Sequence, residues 1–518
     1  MRSAVLTFAV TAIFGAIAPA CADPVVSRDA ARDSAAQRRE ALASDPWRPG
    51  YHFLPPSGWM NDPNGAIFWK GKYHLFFQYN PERAKWGNVH WGHAVSEDLV
   101  HWTDLPIALA PGPGSPDKAG CYSGSAVVYN DRVALLYHGI PSGICLATSN
   151  DDDLIAWTKS PHNPVIAPPT DPDAEWKEHA PNIWREGDTY YLLSGSHVGS
   201  PRNVGSSRDT AFLFQSQDLV HWSYMHRLYE PGEESDNACP DFFPLGRKHV
   251  MMMASHTRGG QYYVGTYANH RFTIERHGRM NSSLFKPGTN LFVIGDLIAT
   301  TSWLDDAGRR IMIAWIGEGR TQAAQLESDW AGVMTLPRVL SLNDDDTLRI
   351  EPAPEFKSLR RNHRHRSDIR LPKDEPISLE DIRGDRLEIA ATFEGGDAKS
   401  YGLNVRCSAD GKQQTRIIYD PQSASLSIDI SQSSDSPAVV DRSGQVLPLE
   451  LRPGEPLKLR VFIDRSVLEV FANGRQCVTK RIYPDRPDSL GVEAFAIGAD
   501  ATLQSLDGWD MAPVWPVK

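Results

Sequence analysis

Short runs of hydrophobic residues alternate with Gly, Asn, Asp and Pro from Trp47 to about Leu342. Runs rich in Val, Ile, Tyr, Phe and Trp are typical of β-strands, and the residues between them are typical of turns. This region has no long stretch with the hydrophobic spacing of an amphipathic helix. Hairpin-forming runs recur at Tyr73–Tyr79, Val133–Tyr137, Thr189–Ser194, His249–Ala254 and Arg310–Trp315. A β-unit repeated at a spacing on the order of 50–60 residues indicates propeller blades, so we expect five blades.

A short internal repeat supports this interpretation. Ser96–Trp102 and Ser216–Trp222 are identical at six of seven positions, and Ser149–Trp157 is a looser copy. Chance similarity between two surface turns does not account well for so close a match. We expect Asp98 and Asp218 to cap turns in equivalent places of two blades, with the Trp residues packing between blades.

The composition changes after the predicted propeller. Arg360–Arg370 is basic and contains His363 and His365, which could bind a metal but are better explained as part of a solvated connector. From Arg386 to Asp510 the pattern alternates as in β-strands again, which predicts a β-sandwich. The predicted organisation is therefore all-β: a signal peptide (1–22), an N-terminal arm, helical or loose (23–46), a five-bladed β-propeller (47–345), a linker (346–380) and a β-sandwich (381–518).

Length and charge limit the number of domains and the kinds of partner that the protein can have. The chain has 518 residues, enough for two or three domains, and a net charge of −11. An acidic chain with no long basic run in the first 340 residues argues against nucleic acid or an anionic membrane as a partner. We also find no spacing typical of metal ligands, and we expect neither a metal nor an organic cofactor.

The first 22 residues resemble a secretory signal. Arg2 precedes a core of apolar and small residues, and Ala20–Cys21–Ala22 fits the small-residue cleavage rule. Lipid attachment at Cys21 is the alternative. Cleavage after Ala22 leaves five cysteines, an odd number, so no disulfide framework is implied. We expect a secreted protein, either periplasmic or extracellular.

The candidate chemistry centres on the octet Gly58–Gly65. Its residues Asn61–Asp62–Pro63–Asn64–Gly65 are typical of a tight turn, and a hairpin is predicted directly after them. A carboxylate fixed among amides and nearby tryptophans suits sugar chemistry, because it can attack or stabilise a cationic anomeric carbon. The alternative is an Asx-turn in which Asp62 only shapes the backbone.

Three separate stretches carry a family resemblance. Gly58–Gly65 with Tyr73–Pro81 resembles the N-terminal signature of glycoside hydrolase family 32, which includes invertases, levanases and exo-inulinases. Trp330–Arg338 is similar to a segment near the end of that family's catalytic domain. Asp464–Arg475 with Arg481–Pro484 is similar to its C-terminal sandwich module. The resemblance spans nearly the whole mature chain.

The resemblance implies a reaction and a set of site residues. The reaction is hydrolysis, with retention, of terminal β-D-fructofuranosyl units from sucrose or β-fructans. The nucleophile would be Asp62. The fructoside would be bound by Trp59, Asn61, Gln78, Trp86, Tyr122 and Ser123.

The chain departs from the family at two acidic motifs. The position of the transition-state stabiliser is Ala180, and the position of the acid/base is Ala238. Residues two apart in an extended chain share a face, so Asp236 or Glu234 could serve as acid/base and Glu178 as stabiliser. Asp241 would lie on the opposite face. The alternative is that these acids simply face solvent.

Two other functions stay open on the same scaffold. One is a fructan- or sugar-binding protein that has lost catalysis through Ala180 and Ala238. The other is fructosyl transfer, or action on another furanoside. We expect Cys239 to be a buried structural thiol and Trp315 a core residue, and we assign no catalytic role to Glu469. Whether the protein forms a homodimer is left open.

Overall fold

The computed structural model describes residues 27–171, 174–198, 208–229, 237–255, 258–281 and 295–517. These residues form two β-domains that follow an N-terminal helix. The predicted signal peptide lies outside the described residues. No helix in the described part of the chain is long and apolar enough to cross a membrane.

The first domain is built from five sheets, in each of which the four main strands are antiparallel. The first sheet contains β1 (Gly58–Trp69), β2 (Lys72–Asn80), β3 (His90–Ser96) and β4 (Trp102–Leu109). The second contains β5 (Gly120–Tyr129), β6 (Arg132–Ile140), β7 (Gly143–Ser149) and β8 (Thr158–Lys159). The third contains β9 (Pro181–Glu186), β10 (Thr189–Val198), β11 (Arg208–Ser216) and β12 (Ser223–Arg227).

Two further sheets complete this domain. The fourth contains β13 (Ala238–Leu245), β14 (Lys248–Ser255), β15 (Gly259–Ala268) and β16 (Arg271–Arg279). The fifth contains β17 (Leu297–Leu304), β18 (Arg310–Ile316), β21 (Arg338–Leu342) and β22 (Leu348–Pro352). Between β18 and β21 lie helix α2 (Gln322–Ser328) and the short strands β19 (Trp330–Ala331) and β20 (Val333–Met334).

The five sheets are the blades of a propeller. Their first strands β1, β5, β9, β13 and β17 contact one another in that order, and β17 contacts β1. Strand β19 pairs in parallel with β1, through Gly58 with Trp330 and Trp59 with Ala331, and so joins the last part of the domain to its first blade. The five predicted hairpin runs lie in β2, β6, β10, β14 and β18, the second strand of each blade, which confirms the blade count.

The repeated heptapeptides cap turns, as predicted. The Asp98 carboxylate accepts hydrogen bonds from the backbone N–H groups of Val100 (3.0 Å) and His101 (2.8 Å). Asp218 accepts the equivalent bonds in the third blade, at 2.9 and 2.8 Å. Satisfying backbone donors in this way is the usual role of Asp in a turn.

The octet is a bulged strand and not the predicted turn. Gly58–Gly65 lies inside β1 and pairs with β2, and the register shifts between Met60 and Pro63 and again between Asn64 and Ile67. Bulges redirect side chains and are frequent next to active sites. Gly58 has a positive φ of 78°, and a Cβ there would lie 2.3 Å from the Asn80 carbonyl oxygen, so only glycine fits.

The second domain is a β-sandwich, as predicted. One sheet contains β23 (Arg360–Leu371), β34 (Ala501–Met511), β25 (Arg386–Glu394), β30 (Leu457–Asp464), β31 (Val467–Ala472) and β32 (Gln476–Arg481). The other contains β24 (Ile377–Ser378), β33 (Gly491–Ile497), β26 (Ser400–Cys407), β27 (Thr415–Asp420), β28 (Ser425–Asp429) and β29 (Gln445–Pro448). Aliphatic and aromatic side chains from both sheets form a single buried core.

Within the segment predicted as a linker, 346–380, the structure contains strands β22, β23 and β24. β22 belongs to the fifth blade, and β23 pairs with β34 along the edge of the sandwich. Arg360 donates to both carboxylate oxygens of Glu388 (2.7 and 2.6 Å), while His363 and His365 both contact Asp507. Most residues of this edge strand are at least partly exposed, so its composition is like that of a solvated connector. Among the described residues, no group of His, Cys, Asp and Glu is arranged to hold a metal ion.

The N-terminal arm is largely helical. Helix α1 (Arg28–Ala41) is capped by Ser27, whose hydroxyl accepts from the Ala30 N–H (3.3 Å). Arg39 anchors the helix to the first blade by donating to both oxygens of Asp104 (2.9 and 3.0 Å).

The segment after α1 connects the two domains. The Asp464 carboxylate accepts from the backbone N–H groups of Gly50, Tyr51 and His52 at 2.7 to 2.9 Å. The His52 ring bridges Asp464 and Glu469, and Glu469 also binds Arg338 of the fifth blade (2.5 Å). His52, Asp464, Glu469 and Arg338 are all buried, and we call them the interface cluster.

Candidate active site

The Asp62 carboxylate lies on the first strand of the first blade and is held by four side chains. Its Oδ1 accepts from Asn61 Nδ2 (3.2 Å). Its Oδ2 accepts from Gln78 Nε2 (3.2 Å), Ser123 Oγ (2.5 Å) and Cys239 Sγ (3.4 Å). These donors come from three blades, so the propeller itself fixes the orientation of the carboxylate. Asp62 is nevertheless partly exposed, as an attacking group must be.

A chain of hydrogen bonds orients the donors. Trp59 Nε1 donates to Asn61 Oδ1 (2.8 Å), and Asn61 Nδ2 donates to Gln78 Oε1 (2.9 Å). Gln78 Nε2 donates in turn to Ser123 Oγ (2.5 Å). The structure therefore brings Trp59, Asn61, Gln78 and Ser123 together around Asp62. Such preorganised polar groups are suited to fixing a polar ligand in one orientation.

Four aromatic and imidazole rings form a row that contains Tyr122, the residue before Ser123. The Trp86 and Tyr122 rings meet edge to face with centroids 5.8 Å apart, and His138 follows at 6.4 Å from Tyr122. The His179 ring lies 5.5 Å from that of His138. We call these four rings the ring wall. Trp86 and Tyr122 were predicted from sequence, whereas both histidines were missed.

Trp315 lies in the core, as predicted. It is 2% exposed and packs against Trp59 with ring centroids 5.9 Å apart. It therefore supports the first residue of the hydrogen-bond chain from behind and does not line the ring wall.

A small cavity is lined by Ser123 and Cys239, which both bind Asp62, and by Ala180. Ala180 stands where the family resemblance predicts the acid that stabilises the transition state. Ala180 shares this cavity with Pro63, Ser123, Asn182 and Cys239. A methyl group there can neither accept a hydrogen bond from a sugar hydroxyl nor stabilise positive charge. The other alanine, Ala238, is 6% exposed and packs into the hydrophobic core of the propeller.

The prediction for Cys239 needs correction. The residue is only partly buried, and its thiol contacts the Asp62 carboxylate instead of packing in the core. Its φ of +49° interrupts the strand, and the register of β13 with β14 shifts between Ala238 and Asp241. Regular alternation of faces cannot be assumed through this bulge.

Asp241 is buried in the fourth blade. It accepts from Asn182 Nδ2 (3.3 Å) and is 3% exposed. Burial raises the pKa of Asp241 to about 6, although nearby Arg310 and hydrogen bonds from Ser302 and Asn182 oppose the rise.

Of the three predicted replacement acids, Glu178 lies among the described residues and the other two do not. Glu178 is half-buried just before β9, and burial raises its pKa. Among the described side chains, the groups hydrogen-bonded to Asp62 are amides, a hydroxyl and a thiol. Asp236 and Glu234 lie outside the described residues, so their role as acid/base stays a prediction.

The fold and this site together define a class of protein. A propeller that presents a partly exposed carboxylate among amides and aromatic rings is suited to cleaving glycosidic bonds. Family models extend this conclusion: residues 52–352 match "Glycosyl hydrolases family 32 N-terminal domain", and residues 355–510 match "Glycosyl hydrolases family 32 C terminal". The chain belongs to family 32 of the glycosyl hydrolases.

Individual relatives agree with this assignment over most of their length. A sucrose-6-phosphate hydrolase of Zymomonas mobilis is 32% identical and covers 93% of this chain and 95% of its own. A levanase of Bacillus subtilis is 31% identical, with 90% of this chain and 71% of the levanase covered. The crystal structure of fructan 1-exohydrolase IIa from Cichorium intybus matches with a TM-score of 0.79 at 28% identity, over 91% of this chain and 98% of that one.

Proposed function

We propose that this protein hydrolyses terminal β-D-fructofuranosyl units from sucrose or β-fructans, with retention of configuration. The observation that carries the proposal is the Asp62 carboxylate, which hydrogen bonds from three blades hold in place. The relatives support the choice of substrate. They include the sucrose-6-phosphate hydrolase and the levanase, and a second structure of the Cichorium exohydrolase contains 1-kestose.

The geometry suggests how the first step would proceed. Asp62 attacks the anomeric carbon of the fructosyl unit, and the bond to the leaving oxygen breaks. Asn61 and Gln78 hold the carboxylate and lie close enough to bind sugar hydroxyls beside it. Trp86 and Tyr122 supply an apolar wall for the sugar rings.

The test is fructose release from sucrose, inulin and levan by the mature protein and its Asp62→Asn variant. We expect release by the unchanged protein and a loss of about 10⁴-fold or more in the variant, because an amide cannot act as the nucleophile. Asp188→Asn is the matched control, since this carboxylate is 96% exposed in the third blade. Equal activity of Asp62→Asn and Asp188→Asn would refute the assignment of Asp62.

A second function is favoured by the two alanines. Ala180 and Ala238 carry no carboxyl group, and a protein that had lost catalysis could still bind fructans in the same pocket. Calorimetric binding of inulin or levan without release of fructose would support this alternative. Transfer of fructose to a second sugar, detected among the products, would instead indicate a fructosyltransferase.

We also propose that the mature protein is exported, because Met1–Ala22 has the charge, core and cleavage site of a secretory signal. Fractionation of expressing cells, with N-terminal sequencing of the product, tests this. Formation of a homodimer stays a prediction for sedimentation analysis.

A further inference from the structure

We propose that His74 and His93, two buried histidines in contact with each other, form an acid-sensitive lock in the first blade. Protons added to this pair separate strand β2 from strand β3 and so release a group that holds Asp62. We call His74 and His93 the histidine pair. The inference goes beyond the proposed function, because it concerns the stability of the blade that carries Asp62 and not the sugar that is cleaved.

The histidine pair is buried and joined by one hydrogen bond. His74 lies on β2 and His93 on β3, and each residue is 1% exposed. His74 Nδ1 and His93 Nε2 are 3.0 Å apart, so one ring donates to the other. The two outer nitrogens, His74 Nε2 and His93 Nδ1, are buried and have no hydrogen-bond partner in the described part of the chain. The pair therefore accommodates two neutral rings but offers no acceptor for an added proton.

Each proton added to the pair disturbs it in a different way. The first makes one ring an imidazolium, which is a buried charge whose outer N–H has no acceptor among the described residues. The second converts the accepting nitrogen of the central hydrogen bond into a donor, so that two N–H groups face each other. The rings must then move apart, and the strands that carry them must separate.

The charged groups near the pair do not offset the cost of burying a proton there. They are Lys72 on β2, Arg28 on α1, and Asp151 and Asp153 just after β7. Asp153 is already paired with Lys72 (3.0 Å) and Arg28 (3.7 Å), so these charges largely balance one another. Burial is the main influence: it lowers the pKa of the ring on β2 to about 4, and it holds the pKa of the ring on β3 well below the ordinary value.

The strands joined by the pair also carry the groups around Asp62. Phe76 stacks on the His93 ring with centroids 4.2 Å apart, and Gln78 follows on the same strand and donates to Asp62. Across the strand pair, Gln78 lies opposite Trp91, which shares β3 with His93. Separation of β2 from β3 would therefore move a hydrogen-bond donor away from the Asp62 carboxylate.

The lock weakens as the pH falls. A histidine in an unfolded chain titrates near pH 6.5, whereas the folded blade keeps the ring on β2 neutral down to about pH 4 and the ring on β3 neutral further still. Between these values the unfolded chain binds more protons than the folded one. The unfolding free energy therefore decreases as the pH falls from about 6.5 towards 4. Above about pH 6.5 the pair contributes no pH dependence.

The experiment measures urea unfolding of the full-length protein at a series of pH values between about 4 and 7. In the test variant, His74→Asn is combined with His93→Gln, which places amides where the paired nitrogens lie, so a hydrogen bond remains but neither group titrates. His162→Gln, a change at an exposed histidine, is the matched control. Near pH 5, the unchanged protein and the control should each take up about two more protons on unfolding than the double variant does.

Hydrogen exchange of the unchanged protein gives a second readout, which decides the question even if the double variant does not fold. Below about pH 4, peptides from β2 and β3 should lose protection before peptides from β17 and β18 of the fifth blade, after correction for the intrinsic effect of pH. Strands β17 and β18 contain neither histidine nor acidic residues, so they serve as the internal reference. Fructose release should be lost over the same pH range and return at neutral pH.

Three results would overturn the inference. One is equal proton uptake on unfolding in the double variant and the unchanged protein. Another is simultaneous loss of protection in the first and fifth blades. The third is loss of fructose release in acid while β2 and β3 stay protected, which would place the effect of acid on the reaction and not on the blade. If the unchanged protein releases no fructose at any pH, the proposed hydrolysis fails, and unfolding and hydrogen exchange still decide whether the lock exists.

Discussion

Replacing Glu469 by Gln should destabilise the contact between the two domains. Glu469 lies on β31 of the sandwich and is fully buried. Its carboxylate accepts from Arg338 of the fifth blade (2.5 Å) and from the backbone N–H of Leu336 (2.6 Å), and it lies 3.1 Å from the His52 ring. The substitution keeps the shape of the side chain but leaves the Arg338 cation buried without its partner.

The expected loss of unfolding free energy follows from this burial. Removing one partner of a buried ion pair costs about 3–5 kcal/mol. Gln keeps one oxygen for the Leu336 N–H, so we expect the low end, about 3 kcal/mol. With a urea dependence of about 3 kcal/mol per M, the midpoint of unfolding should fall by roughly 1 M.

The assay is urea unfolding followed by tryptophan fluorescence, and Glu351→Gln is the matched control. Glu351 also pairs with an arginine at 2.5 Å, but the two side chains are 49% and 40% exposed. An exposed pair contributes only about 0.2–1 kcal/mol. If Glu469→Gln shifts the midpoint no more than Glu351→Gln does, burial of the interface cluster does not stabilise the protein as we argue.

Three further predictions concern the site and the interface. Ser123→Ala removes a charge-assisted hydrogen bond to Asp62 worth about 1.5–3 kcal/mol, so kcat/KM for fructose release should fall roughly 10- to 100-fold; an unchanged value would show that this bond does not matter. Trp86→Ala removes part of the ring wall and should raise KM more than it lowers kcat in steady-state kinetics on inulin. A fall in kcat alone would contradict this prediction. Burial alone would lower the pKa of His52, but the hydrogen bonds that its ring donates to two carboxylates, Asp464 and Glu469, raise it above the ordinary value of about 6.5. Its contribution to stability is therefore complete below about pH 6.5 and is lost as pH rises through the higher folded pKa. The unfolding free energy should therefore decline as pH rises above about 6.5 in the unchanged protein, and decline less in His52→Gln.

Local patterns in the sequence were sufficient to predict the blades and the sandwich. Alternating strands, turn residues and the repeat of Ser96–Trp102 at Ser216–Trp222 depend on neighbours in the chain, and these features appear where they were expected. The role of Asp62 as the centre of a polar site was also predictable from the octet and its resemblance. The shape of the octet was not, because bulges in β1 come from its pairing with β2.

The rest depends on contacts between distant parts of the chain. Arg360–Arg370 was interpreted as a solvated connector because the acids that neutralise it, Glu388, Asp507 and Asp510, lie far away in sequence. The ring wall likewise joins blades one, two and three, so neither His138 nor His179 had a local signal.

Some contacts of the strand that carries Asp62 can form only late in the synthesis of the chain. Its N-terminal end pairs with Trp330 and Ala331, and the segment before it is held by Asp464. At a translation rate of roughly 5–20 residues per second, tens of seconds separate the appearance of Asp62 from that of its partner strand, and the sandwich follows later still. During this interval the first blade has an open edge, which can pair wrongly with other strands. Asp62 is thus synthesised well before the strand and the domain that hold its segment in place. A chain that lacks these later parts cannot form the finished site.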